Sequence, residues 1–175
     1  MMEVLQIPSE LDQMRALFIE RAPERIIEIG CWDGGTLREW LTHGSPTAMI
    51  VAVDLEHRNR DAYEEWLQPD QDLRLYTGNS MEQPAKDFVA SHAPYDWAFI
   101  DGDHSGDGVR SDWATIRPHM APRGLVLIHD IMPPMHLSHF PPGVFFDELA
   151  ETYESWSYKD PEFCRDSRGI GVIQL

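Results

Sequence analysis

The chain has 175 residues, of which 42% are hydrophobic, and this length and apolar content favour a single globular domain over a disordered chain. Its formal net charge of −16 argues against a nucleic-acid partner, because phosphate binding relies on Lys and Arg. The sequence has no apolar run long enough to cross a membrane, and residues 1–10 do not form a secretory signal, so we expect a cytoplasmic protein. Cys31 and Cys164 do not form a CxxC pair, and we expect both to be free thiols.

Helical and strand patterns alternate along the chain, which is typical of a parallel α/β sheet. The N-terminal segment, 1–22, holds a first helix that follows Ser9, a candidate N-cap, and ends near Arg21. Strands are predicted at residues 25–29, 48–53, 73–77, 97–100, 125–128, 155–158 and 169–174. Helices follow the first four strands, and the last two strands are expected to form a hairpin at one sheet edge. Residues 131–143 contain four prolines, so we predict an irregular loop there and a helix only from 144 onward.

Residues 30–35, which we call the glycine loop, connect the first strand to a helix. Glycine lets the backbone approach a ligand closely or adopt a positive φ, and the helix start presents free N–H groups. The loop lacks the GxGxxG pattern, which argues against a dinucleotide site. Glu28 before the loop would repel phosphate and attract an ammonium group, and Trp32 inside it is a candidate pocket residue. An ordinary strand-to-helix turn is the alternative interpretation.

Polar residues also follow the second and third strands. Asp54 comes about 20 residues after the glycine loop, where an acidic side chain can accept hydrogen bonds from the hydroxyls of a ribose. A helix cap is the alternative role for Asp54. Ser80 and Met81 follow the third strand and are candidates to contact the edge and the face of an adenine, unless they form a plain turn.

Acidic and imidazole groups end the fourth and fifth strands, at Asp101, Asp103, His104, His129 and Asp130. Because neighbouring parallel strands end at one edge of the sheet, where open α/β sheets bind ligands, we expect these groups to meet. Carboxylates suit Mg²⁺, and imidazole also admits Mn²⁺ or Fe²⁺, so the pattern predicts a metal site. An active-site edge without metal is the alternative. His104 is a candidate base because imidazole titrates near neutral pH.

With these residues in view, the chain resembles a class I S-adenosylmethionine-dependent methyltransferase. Within that fold it is most similar to the small O-methyltransferases related to the cephalosporin hydroxylase and macrocin O-methyltransferase groups. The segments that carry the resemblance are 26–30, 34–35, 99–105, 112–113, 118, 122–124 and 129–131. The resemblance implies one domain over residues 1–175, with a doubly wound, Rossmann-like α/β sheet of seven strands, mostly parallel with one antiparallel strand.

The resemblance also implies roles for individual residues. Glu28 and the glycine loop would hold the methionine moiety of S-adenosylmethionine, Asp54 the ribose, and Ser80 with Met81 the adenine. The full set of implied cofactor-binding residues is Glu28, Gly30, Trp32, Gly34, Asp54, Ser80, Met81 and Asp101. Asp101, His129 and Asp130 match the positions that bind Mg²⁺ in metal-using relatives, although a carboxylate often stands where this chain has His129.

The implied activity is methyl transfer to an oxygen of a small hydroxylated acceptor, with Asp101 and His104 as catalytic residues and a divalent metal, Mg²⁺ before others, as an aid. Residues 131–143 are the candidate lid, and a homo-oligomer in which a second subunit completes the pocket is left open. Two alternatives remain. One is a cofactor-binding module without methyl transfer; the other is a metal-dependent hydrolase, which would leave the glycine loop and Asp54 without a role.

Overall fold

The computed structural model describes residues 6–134, 137, 139–160 and 168–175. The strands are β1 (Arg25–Ile29), β2 (Met49–Asp54), β3 (Asp72–Thr77), β4 (Tyr95–Ile100), β5 (Met120–Met132), β6 (Glu154–Tyr158) and β7 (Arg168–Gln174). The helices are α1 (Pro8–Arg21), α2 (Gly35–His43), α3 (Arg60–Trp66), α4 (Gln83–Ser91), α5 (Gly106–Ile116) and α6 (Pro141–Ala150), with a 3₁₀ turn at Arg117–His119.

The strands form one sheet in the order β3-β2-β1-β4-β5-β7-β6. The first five strands run parallel to one another, whereas β7 runs antiparallel to both β5 and β6. The predicted fold class, a seven-stranded and mostly parallel α/β sheet with one antiparallel strand, is therefore confirmed. The predicted terminal hairpin is also confirmed.

Helices cover both faces of the sheet, because alternate side chains of each strand point to opposite sides. Ile27 and Ala98 belong to a core shared with α4, α5 and α6. Ile26 and Trp97 belong to a second core shared with α1, α2 and α3. Burial on both faces explains why β1 and β4 are nearly continuous apolar runs rather than alternating ones.

The structure corrects the sequence-based boundaries at two helices. Pro141 and Pro142 are the first residues of α6, so the helix begins three residues before the predicted start at 144. Proline is tolerated there because the first helical N–H groups have no partner within the helix. Pro8 likewise begins α1, and Ser9 is not its N-cap; the Ser9 hydroxyl donates to Asp160 Oδ2 at 2.6 Å instead.

The candidate lid is also shorter than predicted, because β5 continues to Met132 and α6 begins at Pro141. Residues 135, 136 and 138 of this connection lie outside the described residues, as does Cys164. Cys31 is a buried free thiol. In the described part of the chain, no helix combines the length and the apolar character needed to cross a bilayer.

An aromatic cluster holds α1 against the sheet. The fully buried Phe18 ring lies 4.7 Å from the ring centroid of Trp40 and 5.1 Å from that of Trp97. We expect Phe18→Ala to lower the free energy of unfolding by about 3–5 kcal/mol, because it leaves a cavity among rigid rings. Urea denaturation measures this loss. The control is Ile19→Ala on the same helix, 53% exposed, which should change stability by less than about 0.5 kcal/mol. Equal losses in the two variants would contradict this packing of α1.

Candidate active site

Three strand ends meet at the carboxyl edge of the sheet. Gly30 N donates to Val53 O at 2.9 Å, and Asp101 N donates to Ile29 O at 2.8 Å, which joins the ends of β1, β2 and β4. Gly30 has a φ of +86°, and a Cβ at this position would lie 2.1 Å from Asp101 O. Only glycine fits such a close approach of two backbones. The glycine loop therefore rests directly on the end of β4.

A cleft of about 550 Å³ opens at this edge, a size typical of small-molecule sites. The predicted site residues that line it are Gly30, Trp32, Asp54, Ser80, Met81, Asp101 and His104. Glu28, Gly34, His129 and Asp130 are not part of the lining. Thr36, which bonds Glu28, and Gly35, which follows Gly34, do line the cleft. The structure thus brings seven of the predicted residues to one cavity.

Asp54 holds the glycine loop in place. Its Oδ2 accepts hydrogen bonds from the backbone N–H groups of Cys31, at 2.5 Å, and Trp32, at 2.8 Å. Its Oδ1 accepts from Glu56 N at 2.9 Å. Since a carboxylate offers about four acceptor positions, Asp54 retains capacity for a further donor in the cleft.

Trp32 forms part of the rim of the cleft and is 52% exposed. Its φ of +50° is unusual for a bulky residue. The guanidinium carbon of Arg58 lies 3.7 Å from the centre of the Trp32 ring. This stacking is a cation–π contact that covers one face of the indole and leaves the side chain partly open to solvent.

Glu28 lies beneath the glycine loop and is completely buried. Thr36 Oγ1 donates to one of its oxygens, and Trp40 Nε1 donates to the other at 2.8 Å. Burial raises the pKa of Glu28 to about 8, against the effect of these hydrogen bonds, so the carboxyl group is largely neutral at pH 7. Glu28 reaches the cleft only through Thr36, and its direct contact with a cofactor stays a prediction.

The residues that end β4 and β5 form what we call the strand-end cluster, Asp101, His104, His129 and Asp130. Asp101 Oδ1 lies 3.0 Å from His129 Nδ1 and 3.3 Å from His104 Nε2. His104 Nδ1 lies 3.3 Å from Asp130 Oδ2. Asp130 has a φ of +59°, a conformation that costs energy in a residue with a side chain and is concentrated at functional sites.

Mutual attraction sets the charges in this cluster. Burial alone would lower the pKa of His129, but the charges of Asp101 and Asp130 raise it to about 9. Burial likewise opposes ionisation of Asp101, yet His129 and His104 hold its pKa below the usual value. The hydrogen bond to Asp101 raises the pKa of His104. The cluster therefore favours charged carboxylates beside protonated imidazoles.

The donor atoms of Asp101, His104 and Asp130 lie within 4.8 Å of one another, close enough to surround one cation. Two carboxylates and an imidazole fit Mg²⁺ or Mn²⁺. His104, predicted as a base, is thus the imidazole of this group, and the predicted ligand His129 lies against Asp101.

Asp103 stabilises the start of α5. Its oxygens accept hydrogen bonds from Ser105 N at 2.9 Å and from Ser105 Oγ at 2.8 Å.

Sequence reasoning missed Gln6 and Thr36. Thr36 lines the cleft and bonds Glu28, and its position in the first turn of a helix after the glycine loop was a usable signal. Gln6 lines the cleft from the opposite end of the chain and donates to Asp101 Oδ2 at 3.1 Å. No sequence pattern indicates a contact across 95 residues.

The central part of the chain matches a known family, the one described as methyltransferase domain, over residues 27–131. Demethylmacrocin O-methyltransferase of Streptomyces fradiae is 27% identical over 115 residues. Mycinamicin VI 2''-O-methyltransferase of Micromonospora griseorubida is 29% identical over 117 residues. Each match covers 61% of this chain but only 27% of the length of the relative.

Solved structures share the fold at low sequence identity. An O-methyltransferase from Bacillus cereus in complex with SAH has a TM-score of 0.70 and 15% identity, covering 99% of this chain and 83% of that one. The MycE methyltransferase of the mycinamycin biosynthetic pathway, in complex with Mg, SAH and mycinamycin VI, has a TM-score of 0.64 and 18% identity. That match covers 93% of this chain and 48% of MycE.

Behind the cleft lies an acidic residue of α5, Asp112, which is fully buried. A Cβ on the lining residue Gly102 would lie 3.0 Å from Asp112 Oδ2. Neither carboxylate oxygen makes a hydrogen bond of normal geometry to a described residue, although the Ser80 hydroxyl lies near enough to favour ionisation. Burial prevails and raises the pKa of Asp112 to about 6.

This burial predicts a pH-dependent cost of ionising Asp112. As the pH rises from its usual pKa of 3.8 to about 6, the folded state holds the proton that the unfolded chain loses, so stability falls and stays lower above that window. We expect Asp112→Asn to raise the free energy of unfolding at about pH 8, by at most about 3 kcal/mol, and to give no such gain near pH 4. Urea unfolding at both pH values measures the difference.

The control for this prediction is Asp107→Asn, an exposed position on the same helix, which should show no comparable gain at the higher pH. A gain in Asp112→Asn that is the same at both pH values would show that ionisation is not its cause.

Proposed function

Because the chain belongs to the methyltransferase domain family, we propose that it transfers a methyl group from S-adenosylmethionine to an oxygen of a small hydroxylated acceptor. The observation that carries this proposal is the single cleft that the glycine loop, Asp54 and Asp101 share. The names of the two curated relatives, both O-methyltransferases, support oxygen as the acceptor atom.

The cofactor fits the cleft in size and in the chemistry of its lining. When bound, S-adenosylmethionine supplies an electrophilic methyl group on a sulfonium. Gly30 and the rest of the glycine loop present backbone to the methionine moiety. Asp54, the last residue of β2, accepts from the ribose hydroxyls. Ser80 and Met81 form the wall for the adenine. These residues position the donor, which is the main task of the protein in such a reaction.

We place the acceptor beside the strand-end cluster, of which Asp101 and His104 line the cleft. A divalent ion, when bound, lowers the pKa of a hydroxyl group and supplies positive charge beside it. Asp101, His104 and Asp130 would hold it, with His129 beside Asp101, and the Mg in the MycE complex supports this assignment. His104 lines the cleft and its side chain is 40% exposed, so it is also our candidate to take the proton of the acceptor hydroxyl. This role needs a neutral imidazole that does not bind the ion, so for His104 the base and the metal ligand are alternative roles.

A thermal-shift experiment tests the proposed function directly. We expect S-adenosylmethionine to raise the melting temperature, because a ligand that binds only the folded state at 100 times its Kd adds about 2.7 kcal/mol of stability. Adding Mg²⁺ should raise it further, and NAD, a dinucleotide, should leave it unchanged. Stabilisation by NAD but not by S-adenosylmethionine would refute the proposal. Release of a methylated rather than a cleaved product excludes the hydrolase alternative.

Two substitutions should separate cofactor binding from turnover. Asp54→Ala removes the acceptor for the ribose and releases the amides of Cys31 and Trp32, so we expect the cofactor Kd to rise at least about tenfold.

Asp101→Asn keeps the shape of its site but removes a charge that holds the strand-end cluster together. We expect it to abolish methyl transfer and to change the cofactor Kd by less than about threefold. Titration calorimetry and a methyl-transfer assay measure the two effects, and an unchanged Kd in Asp54→Ala would count against the assignment.

A further inference from the structure

Gln6 is the residue through which the N-terminal segment enters the active site. It precedes α1, is only 7% exposed, and still lines the cleft. Its Nε2 donates to Asp101 Oδ2 at 3.1 Å. Among the described lining residues it alone comes from the part of the chain before β1.

The start of α1 is fixed, so Gln6 does not reach Asp101 from a loose tail. Ile7 is 2% exposed, and Glu10 is completely buried. Glu10 Oε1 accepts from Asp160 N at 2.9 Å, and Oε2 accepts from Gly169 N at 3.0 Å. These bonds tie the first turn of α1 to the ends of β6 and β7, at the same side of the sheet as the strand-end cluster.

The two oxygens of Asp101 have different surroundings. Oδ1 faces the imidazoles of His104 and His129, and Oδ2 faces the amide of Gln6. An amide N–H is a neutral donor, so it orients a carboxylate without cancelling its charge. Gln6 therefore fixes the rotation of Asp101 and leaves Oδ1 directed into the cluster.

We propose that Gln6 is a positioning residue for Asp101: it engages Oδ2 so that Asp101 presents a single oxygen, Oδ1, to a divalent cation shared with His104 and Asp130. This inference rests on the proposed function, whose metal site it refines. Partners that orient a metal ligand in this way typically affect metal affinity by 10- to 100-fold when removed.

Mn²⁺ binding tests the proposal without relying on activity. The amount of free Mn²⁺, followed by electron paramagnetic resonance, gives the Kd of the wild type and of Gln6→Met, which keeps the length of the side chain and removes the amide. We expect Gln6→Met to weaken Mn²⁺ binding about tenfold or more. Gln6→Asn keeps the amide on a shorter stem and should fall between the two. Asp101→Asn defines the level of non-specific binding to this acidic protein.

Controls separate positioning from a general structural effect. Gln13→Met removes an exposed amide that bonds Ser9 O at 3.0 Å on α1, and it should leave Mn²⁺ affinity unchanged. The melting temperature and the Kd for S-adenosylmethionine, measured on the same samples, should differ little between Gln6→Met and the wild type.

Equal Mn²⁺ affinity in Gln6→Met and the wild type would overturn the proposal, as would wild-type binding no stronger than that of Asp101→Asn. Either result would leave the proposed function intact as long as S-adenosylmethionine binds. Failure of the wild type to bind S-adenosylmethionine would instead remove the proposed function, while the Mn²⁺ titrations would still decide the role of Gln6.

Discussion

The shape of the cleft depends on residue 30 being a glycine. A Cβ at this position would lie 2.1 Å from the carbonyl oxygen of Asp101, so no residue with a side chain fits there. The close approach lets the glycine loop lie flat on the end of β4, and the amides that follow in the loop turn toward Asp54. One glycine thus connects the ends of three strands, and a larger residue would separate the Asp54 and Asp101 sides of the cavity.

A second constraint is charge balance in the strand-end cluster. Two carboxylates at adjacent strand ends would repel each other unless cations lay between them. Here His129 and His104 supply that charge, with His129 so enclosed that its side chain is only 6% exposed. The imidazoles can stabilise the two acids in the folded protein before any ion arrives, and a divalent cation bound by Asp101, His104 and Asp130 would compete with protons for the same groups.

Much of the fold and part of the site could be predicted from sequence, because both follow from local order along the chain. The alternation of strands and helices predicted a mostly parallel sheet. Because parallel strands end at the same edge, the residues at the ends of β1, β2 and β4 were expected to meet there. The start of α6 was missed because proline breaks a helix in its interior but is favoured in its first turn, and the sequence alone does not show which position Pro141 and Pro142 occupy. Gln6 was missed because its contact with Asp101 depends on how α1 docks, which no local pattern encodes. Both imidazoles lie within 3.3 Å of oxygens of Asp101 and of Asp130, so position in the sequence alone could not show how the ligand and base roles divide between His129 and His104.

Burial and the presence of imidazole partners together decide which acids near this edge are ionised. Burial raises the pKa of Glu28 and of Asp112, and in Asp112 the attraction of Lys86 does not offset this effect. Asp101 is partly buried at the cleft, where burial opposes its ionisation, yet its imidazole partners lower its pKa. The pKa shifts favour a neutral Glu28 and a protonated His129, so the region behind the cleft is less negative than a formal count of its residues suggests. The net charge of −16 therefore does not measure the charge beside the cleft, because it counts buried acids such as Glu28 and Asp112 as ionised.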